Sequence, residues 1–352
     1  MYKYMLLFAI SALIAFLITP AVRKLAGRVG AVDVPKDSRR VHKRATFLMG
    51  GLAIYVPFVM LTLICLGQDK QVIGIIIGGT LIAAMGIADD IYPLKPAYKL
   101  VVQIAAAIIL IAFGVSVRSV TVPFVSDSAS VNTGMLGIPI TIIWVVGITN
   151  AINLIDGLDG LACGISMISS LALMYVAFMC GRETPLLLNV MLSGACLGFL
   201  PYNFNPASIF LGDTGSQFLG FTLAAVSMLG AIKSTTAVVV AVPILAIGIP
   251  IYDTLFAMLR RKINNKPIME ADRGHMHHKL LDMGLSQRQV VLIMYLISIL
   301  LGLASIMAMR LSTRRSYELL MIVCAFVIAT ALEFGLFSKK DNSKAGKGDK
   351  SA

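Results

Sequence analysis

The chain has 352 residues, 58% hydrophobic and 14% charged, with a formal net charge of +12. Soluble domains carry about 25% charged residues, so an ordinary water-soluble protein is excluded and most of the chain must reside in lipid. The positive excess is a topology signal plus attraction to anionic headgroups, and it gives no ground for nucleic acid as a partner.

A helix needs about 20 apolar residues to cross a hydrocarbon core of roughly 30 Å. Eleven stretches approach that length, at 4–22, 48–66, 72–88, 100–117, 138–153, 161–179, 186–200, 216–232, 235–258, 289–309 and 319–336. The expected fold is an all-α integral membrane protein with about eleven transmembrane helices. It forms one polytopic domain over 1–337 and a disordered tail over 338–352, rich in Lys, Ser, Gly and Asp. The first stretch has a charge-poor start and Arg23-Lys24 directly after it, which fits a retained span better than a cleaved signal peptide. The five Cys form no CxxC pair and say nothing of redox compartment. The connections after spans one, three, five, seven and nine, together with the tail, hold 22 of the 30 Lys and Arg. That side is expected to be cytoplasmic, which sends the N-terminus outside and the C-terminus into the cytoplasm.

Five connections rich in Asp, Asn or His fall on this same side, so their chemistry shares one layer. The first, 23–44, includes His42 within a basic flank. The second joins Asp89 and Asp90 to Lys99. Adjacent acids suit a plain helix end, but two neighbouring carboxylates are costly without a cation, which invites a divalent metal or a proton beside a phosphate-binding Lys. The third carries Asn150, Asn153, Asp156 and Asp159 at spacings of three, so neighbouring members share a helix surface. Such a run has no use in lipid unless it faces protein or a ligand, and its spacing fails the calcium-loop template.

The fourth connection, 203–216, sets Gly212 and Gly215 around Asp213 just before a helix. The free N–H groups of that helix can face an anion such as a phosphate; a simple Asp or Ser cap is the rival reading. Phe210, three residues before Asp213, is placed to stack on a base. The fifth, 260–288, is long and basic, with Arg260-Arg261-Lys262 followed by His275, His277 and His278. No Cys or acid stands at zinc spacing beside them, so donors to phosphate or sugar oxygens suit the composition better than a zinc site.

Together these residues resemble the polyprenyl-phosphate N-acetylhexosamine-1-phosphate transferase family, from about Asp33 to His278. The matching elements are Asp89-Asp90 with Lys99 and Gln103, Asn150 to Gly160, Phe210 to Ser216, and His275-Met276-His277-His278. One departure stands at Ala45 to Gly51, where the family usually shows prolines before its paired glycines.

The resemblance implies transfer of a sugar 1-phosphate from a UDP-sugar to a polyprenyl phosphate at the bacterial plasma membrane, with the site on the cytoplasmic side. It implies Mg2+, with Mn2+ as a substitute, and is compatible with a homodimer. By this resemblance Asp213 is a metal ligand helped by Asn153, while Asp156 and Asp159 are nucleotide-side contacts with Phe210 under the uracil. Asp89, Asp90 and Lys99 form the catalytic and lipid-phosphate group, and Arg261, His275, His277 and His278 contact diphosphate and sugar. The His-Met-His-His form resembles the branch that uses UDP-N-acetylglucosamine and undecaprenyl phosphate for teichoic acid, O-antigen or other envelope glycans. The phospho-N-acetylmuramoyl-pentapeptide branch usually carries three consecutive His. A transporter of an anionic solute is the rival class, but its charges would sit near the bilayer midplane on broken helices.

Overall fold

The computed structural model describes residues 2–34, 45–117, 119–121, 130–231, 238–264, 274–311 and 313–333. His42 and the tail 338–352 lie outside the described residues. In chain order the helices are α1 (Tyr2–Val29), α2 (Gly51–Leu66), α3 (Lys70–Ile91), α4 (Pro96–Ala112), α5 (Gly137–Ile155), α6 (Leu161–Met179), α7 (Glu183–Asn203), α8 (Gly212–Ala231), α9 (Val238–Ala246), α10 (Gly248–Ile263), α11 (Met276–Asp282), α12 (Gln287–Arg310) and α13 (Thr313–Glu333). Two short antiparallel ribbons accompany them, β1 (Val32–Asp33) with β2 (Thr46–Phe47), and β3 (Ser119–Thr121) with β4 (Ser130–Asn132).

Among the described residues six helices are long and apolar enough to cross a membrane: α1, α3, α5 with its preceding turn, α6, α7 and α12. Helices α2 and α4 are apolar but shorter. Helix α12 shows how such a helix divides its surface. Leu292, Leu296, Leu303 and Met307 are exposed, whereas Val291, Met294, Ser298 and Gly302 are buried. An apolar stripe left outside in this way is the surface a lipid tail covers.

Several expected elements differ, among them α1, which runs to Val29 instead of ending at Val22. Where one span is expected over 235–258, the described residues from Val238 on form two helices, because Pro250 has no N–H for the carbonyl of Ala246 and its ring crowds that carbonyl. Helix α9 therefore ends at Ala246, and α10 starts after Ile247. The expected span 100–117 ends at Ala112, where Gly114 takes φ 88° and turns the chain. Helix α8 begins at Gly212, so Asp213 occupies its first turn instead of a loop before it.

Helix α8 is the axis of the molecule. It is apolar nearly all round and buried along almost its whole length, with Phe218 and Phe221 fully enclosed, as expected for a helix with neighbours on every side. It packs against α2, α3, α5, α6 and α7. Helix α3 approaches most closely at Gly86, where a Cβ would run into the Thr214 backbone. That contact brings the C-terminal end of α3 over the N-terminal end of α8 and fixes the floor of the site.

Candidate active site

Asp90 lies one helical turn beyond Gly86 and reaches the start of α8. Its carboxylate accepts the N–H of Asp213 at 2.8 Å, the N–H of Thr214 at 3.2 Å and the Thr214 hydroxyl at 2.6 Å. The first N–H groups of α8 thus face an anion, as the sequence suggested, but the anion is Asp90 itself. A carboxylate at a helix N-terminus meets both unpaired donors and the positive end of the dipole. Asp90 is 8% exposed and its oxygens are engaged, so it sets the position of Asp213.

Asp89 points the other way. It accepts the Leu94 N–H at 2.7 Å and receives the Lys99 ammonium at 2.6 Å. The same Lys99 Nζ lies 2.7 Å from Asp213 Oδ2. Asp213 Oδ2 also accepts from Gln217 at 2.8 Å, and Asp213 Oδ1 from Asn153 at 3.0 Å. Asn153 in addition donates to Ser216 at 2.9 Å. One ammonium therefore serves two carboxylates and leaves the group a net negative charge.

These residues open onto a cavity of about 470 Å³. Six aspartates line it, Asp33, Asp89, Asp90, Asp156, Asp159 and Asp213, with Asn153, Phe210 and His278; among the described lining residues there is no Lys or Arg. Withdrawal from water, then the charges of Asp213, Asp90 and Asp159, hold the Asp156 carboxyl well above the usual carboxylate range. Asp159 accepts Asn205 Nδ2 at 2.9 Å and the Ala207 N–H at 3.1 Å, so it braces the turn after α7. The backbone of Phe210 ties that turn to the first connection, through its N–H to Phe47 at 2.8 Å and its carbonyl to Gly50 at 3.0 Å.

The histidine segment meets the cavity from one side. His278 lines it. His277 is 1% exposed and abuts Gly157, with its ring 4.3 Å from that of His278 and 5.7 Å from that of His275. Neither His277 nitrogen has a hydrogen-bond partner among the described residues. Burial, then the neighbouring His278, lowers its pKa to about 3, so the ring is neutral. His275 is buried with Nδ1 2.7 Å from Asp253 Oδ2, and Asp253 Oδ1 accepts the Met276 N–H at 2.8 Å.

Of the residues expected from sequence, Asp89, Asp90, Asn153, Asp156, Asp159, Phe210, Asp213 and His278 line one cavity, and Lys99 joins them through its ion pairs. His275, His277 and Arg261 do not line it; all three are buried. Sequence reading gave no role of their own to Thr214, Gln217 or Asp253. Gln217 stands four residues after Asp213, on the same helix face, which is a legible signal.

A hard divalent cation prefers oxygen donors, and Mg2+ is usually held by one or two carboxylates plus substrate phosphates. Asp213 and the Asn153 amide supply such donors at the negative end of the cavity. Among the described residues no group of three His, Cys, Asp or Glu is placed to hold a metal ion by itself.

Residues 72–231 match the model of a family described as glycosyl transferase family 4. The chain is 38% identical to a probable undecaprenyl-phosphate N-acetylglucosaminyl 1-phosphate transferase of Bacillus subtilis, over 97% of this chain and 94% of that protein. It is 35% identical to a decaprenyl-phosphate N-acetylglucosaminephosphotransferase of Mycolicibacterium smegmatis, over 81% and 77%. It is 32% identical to a phospho-N-acetylmuramoyl-pentapeptide-transferase of Clostridioides difficile, over 85% and 96%.

Proposed function

The chain belongs to the polyprenyl-phosphate N-acetylglucosamine-1-phosphate transferases of glycosyl transferase family 4, and on that premise we propose that it moves N-acetylglucosamine 1-phosphate from UDP-N-acetylglucosamine to undecaprenyl phosphate. A lipid phosphate oxygen attacks the sugar-bearing phosphorus. The bond from that phosphorus to the bridging oxygen breaks, UMP leaves with the oxygen, and a lipid-linked diphosphate sugar remains. The observation that carries the reading is the cavity of six aspartates with one shared ammonium at its edge. Two phosphates brought together there repel each other and the walls, so binding requires a cation.

Magnesium, held by Asp213 and Asn153, would neutralise charge on the diphosphate oxygens and so stabilise the developing charge of the transfer. Lys99 lies between Asp89 and Asp213 and is available to an incoming phosphate. The second pKa of a phosphate monoester is about 6, so at neutral pH the nucleophile is mostly dianionic and a base is not essential. Direct attack fits better than a covalent aspartyl intermediate: Asp89 orients Lys99 and the lipid phosphate and completes deprotonation at low pH. His278, with His275 and His277 behind it, and Arg261 serve the donor side. Asp156, Asp159 and Phe210 form the nucleotide wall, on the cytoplasmic face of the plasma membrane.

The test is release of UMP by the purified protein with undecaprenyl phosphate and Mg2+, comparing UDP-N-acetylglucosamine with UDP-N-acetylmuramoyl-pentapeptide. Turnover with the first alone is the expected result. Turnover with the pentapeptide donor alone would reassign the sugar, and no UMP with any UDP-sugar would overturn the transferase reading.

A further inference from the structure

Behind the cavity, three side-chain amides form a chain through the apolar interior. Asn150 Nδ2 on α5 donates to the Val146 carbonyl at 2.8 Å and to Gln103 Oε1 on α4 at 2.8 Å. Gln103 Nε2 donates to Asn150 Oδ1 at 3.3 Å and to Gln217 Oε1 on α8 at 3.0 Å. Gln217 Nε2 ends the chain on Asp213 Oδ2 at 2.8 Å. Gln103 and Gln217 are each 1% exposed, and none of the three amides lines the cavity.

The direction of this chain is fixed at its far end. The Val146 carbonyl only accepts, so it holds the NH2 of Asn150; the Gln103 oxygen then faces that NH2, and the Gln103 NH2 faces the Gln217 oxygen. The one remaining arrangement aims the Gln217 N–H at Asp213. Turning the Gln217 amide over would set its oxygen against the carboxylate and its NH2 against the Gln103 donor, two repulsions in a dry interior. Lys99, the other donor to Asp213 Oδ2, is a charge shared with Asp89 that an anionic substrate attracts away. A neutral buried amide feels no such pull.

We propose that Gln217, backed by Gln103 and Asn150, is a positioning residue for the transfer: it holds the Asp213 carboxylate toward the cavity when Lys99 turns to the substrate. This role follows from the proposed function, in which Asp213 belongs to the reaction centre.

The test is a cycle of Q217M, Q103M and the double variant in the full-length enzyme, with kcat, both KM values and the thermal midpoint measured for each. Q217M is expected to lower kcat about tenfold to a hundredfold, the range for partners that orient a ligand side chain. Q103M should lose less, and the double variant should match Q217M, because the route to Asp213 is already cut. The KM for undecaprenyl phosphate should stay within about twofold, since the amides lie behind the cavity wall. Wild-type kcat in Q217M, independent multiplying losses, or losses that track the thermal midpoint would overturn the role. If Q217M does not fold, Q103M with N150L decides in the same way: lower kcat at an unchanged midpoint supports the chain, and wild-type kcat overturns it. A wild-type protein that makes no UMP would sink the proposed reaction instead, which separates the two failures.

Discussion

The acidic layer over α8 and the histidine segment at the start of α11, which reaches the same cavity through His278, are built differently. In the acidic layer Lys99 joins Asp89 to Asp213, Asn153 donates to Asp213, and Asp90 accepts the N–H of Asp213 and both the N–H and hydroxyl of Thr214, by contacts of 2.6–3.2 Å. In the histidine segment His275 is tied to Asp253, while His277 is packed away with both nitrogens unpartnered among the described residues. The acidic group is thus held in place by its own contacts, whereas His277 is held by packing alone among the described residues. Preorganised polar groups need no rearrangement at the moment of reaction.

The largest way to break this contrast is at Asp213. D213N should lower kcat by about 10²–10³-fold, and chelation of divalent ions should abolish UMP release, restored by Mg2+ or Mn2+. A D213N enzyme within tenfold of wild type would remove the acidic layer from the chemistry. H278A should cost less, about tenfold to a hundredfold in kcat/KM, mainly through KM for the UDP-sugar, as the loss of one hydrogen bond to a charged group. An equal fall in kcat with KM unchanged would move His278 from donor binding to the transition state.

Asp89 gives a pH test. D89N should be slower relative to wild type at pH 5.5 than at pH 8, because below a phosphate pKa of about 6 the nucleophile still carries a proton. Equal loss at both values would count against a base role. D90A is read most directly in stability, because Asp90 caps α8. Loss of the cap on α8 should cost about 1–2 kcal/mol and lower the thermal midpoint by a few degrees. Hydrogen exchange sharpens the contrast further: adding UDP-N-acetylglucosamine should protect amides of 275–284 more than those of 213–217.

Much of this was legible in the sequence because charge in lipid is rare enough to read. Asp89, Asn153, Asp156, Asp159, Asp213 and His278 stood out as candidate site residues because they fall in polar connections between apolar stretches, and the structure gathers them in one cavity. Sequence could not separate Asp89 from Asp90, since neighbours on a helix point in directions about 100° apart and only the packing of α3 on α8 says which faces where. Nor could it find Asp253 as the partner of His275, because a bond across 22 residues depends on how α10 turns after the break at Ile247.

Composition and the alternation of apolar stretches with polar connections suffice to specify a helical membrane protein, because lipid tolerates neither exposed backbone nor unpaired charge. How the polar side chains meet at the cavity follows instead from the packing of the helices. Glycine contacts bring α3 against α8, a carboxylate takes the helix N-terminus offered to a phosphate, and the amides of three helices converge on Asp213. Each of these depends on distances between helices, which a linear spacing of residues does not contain.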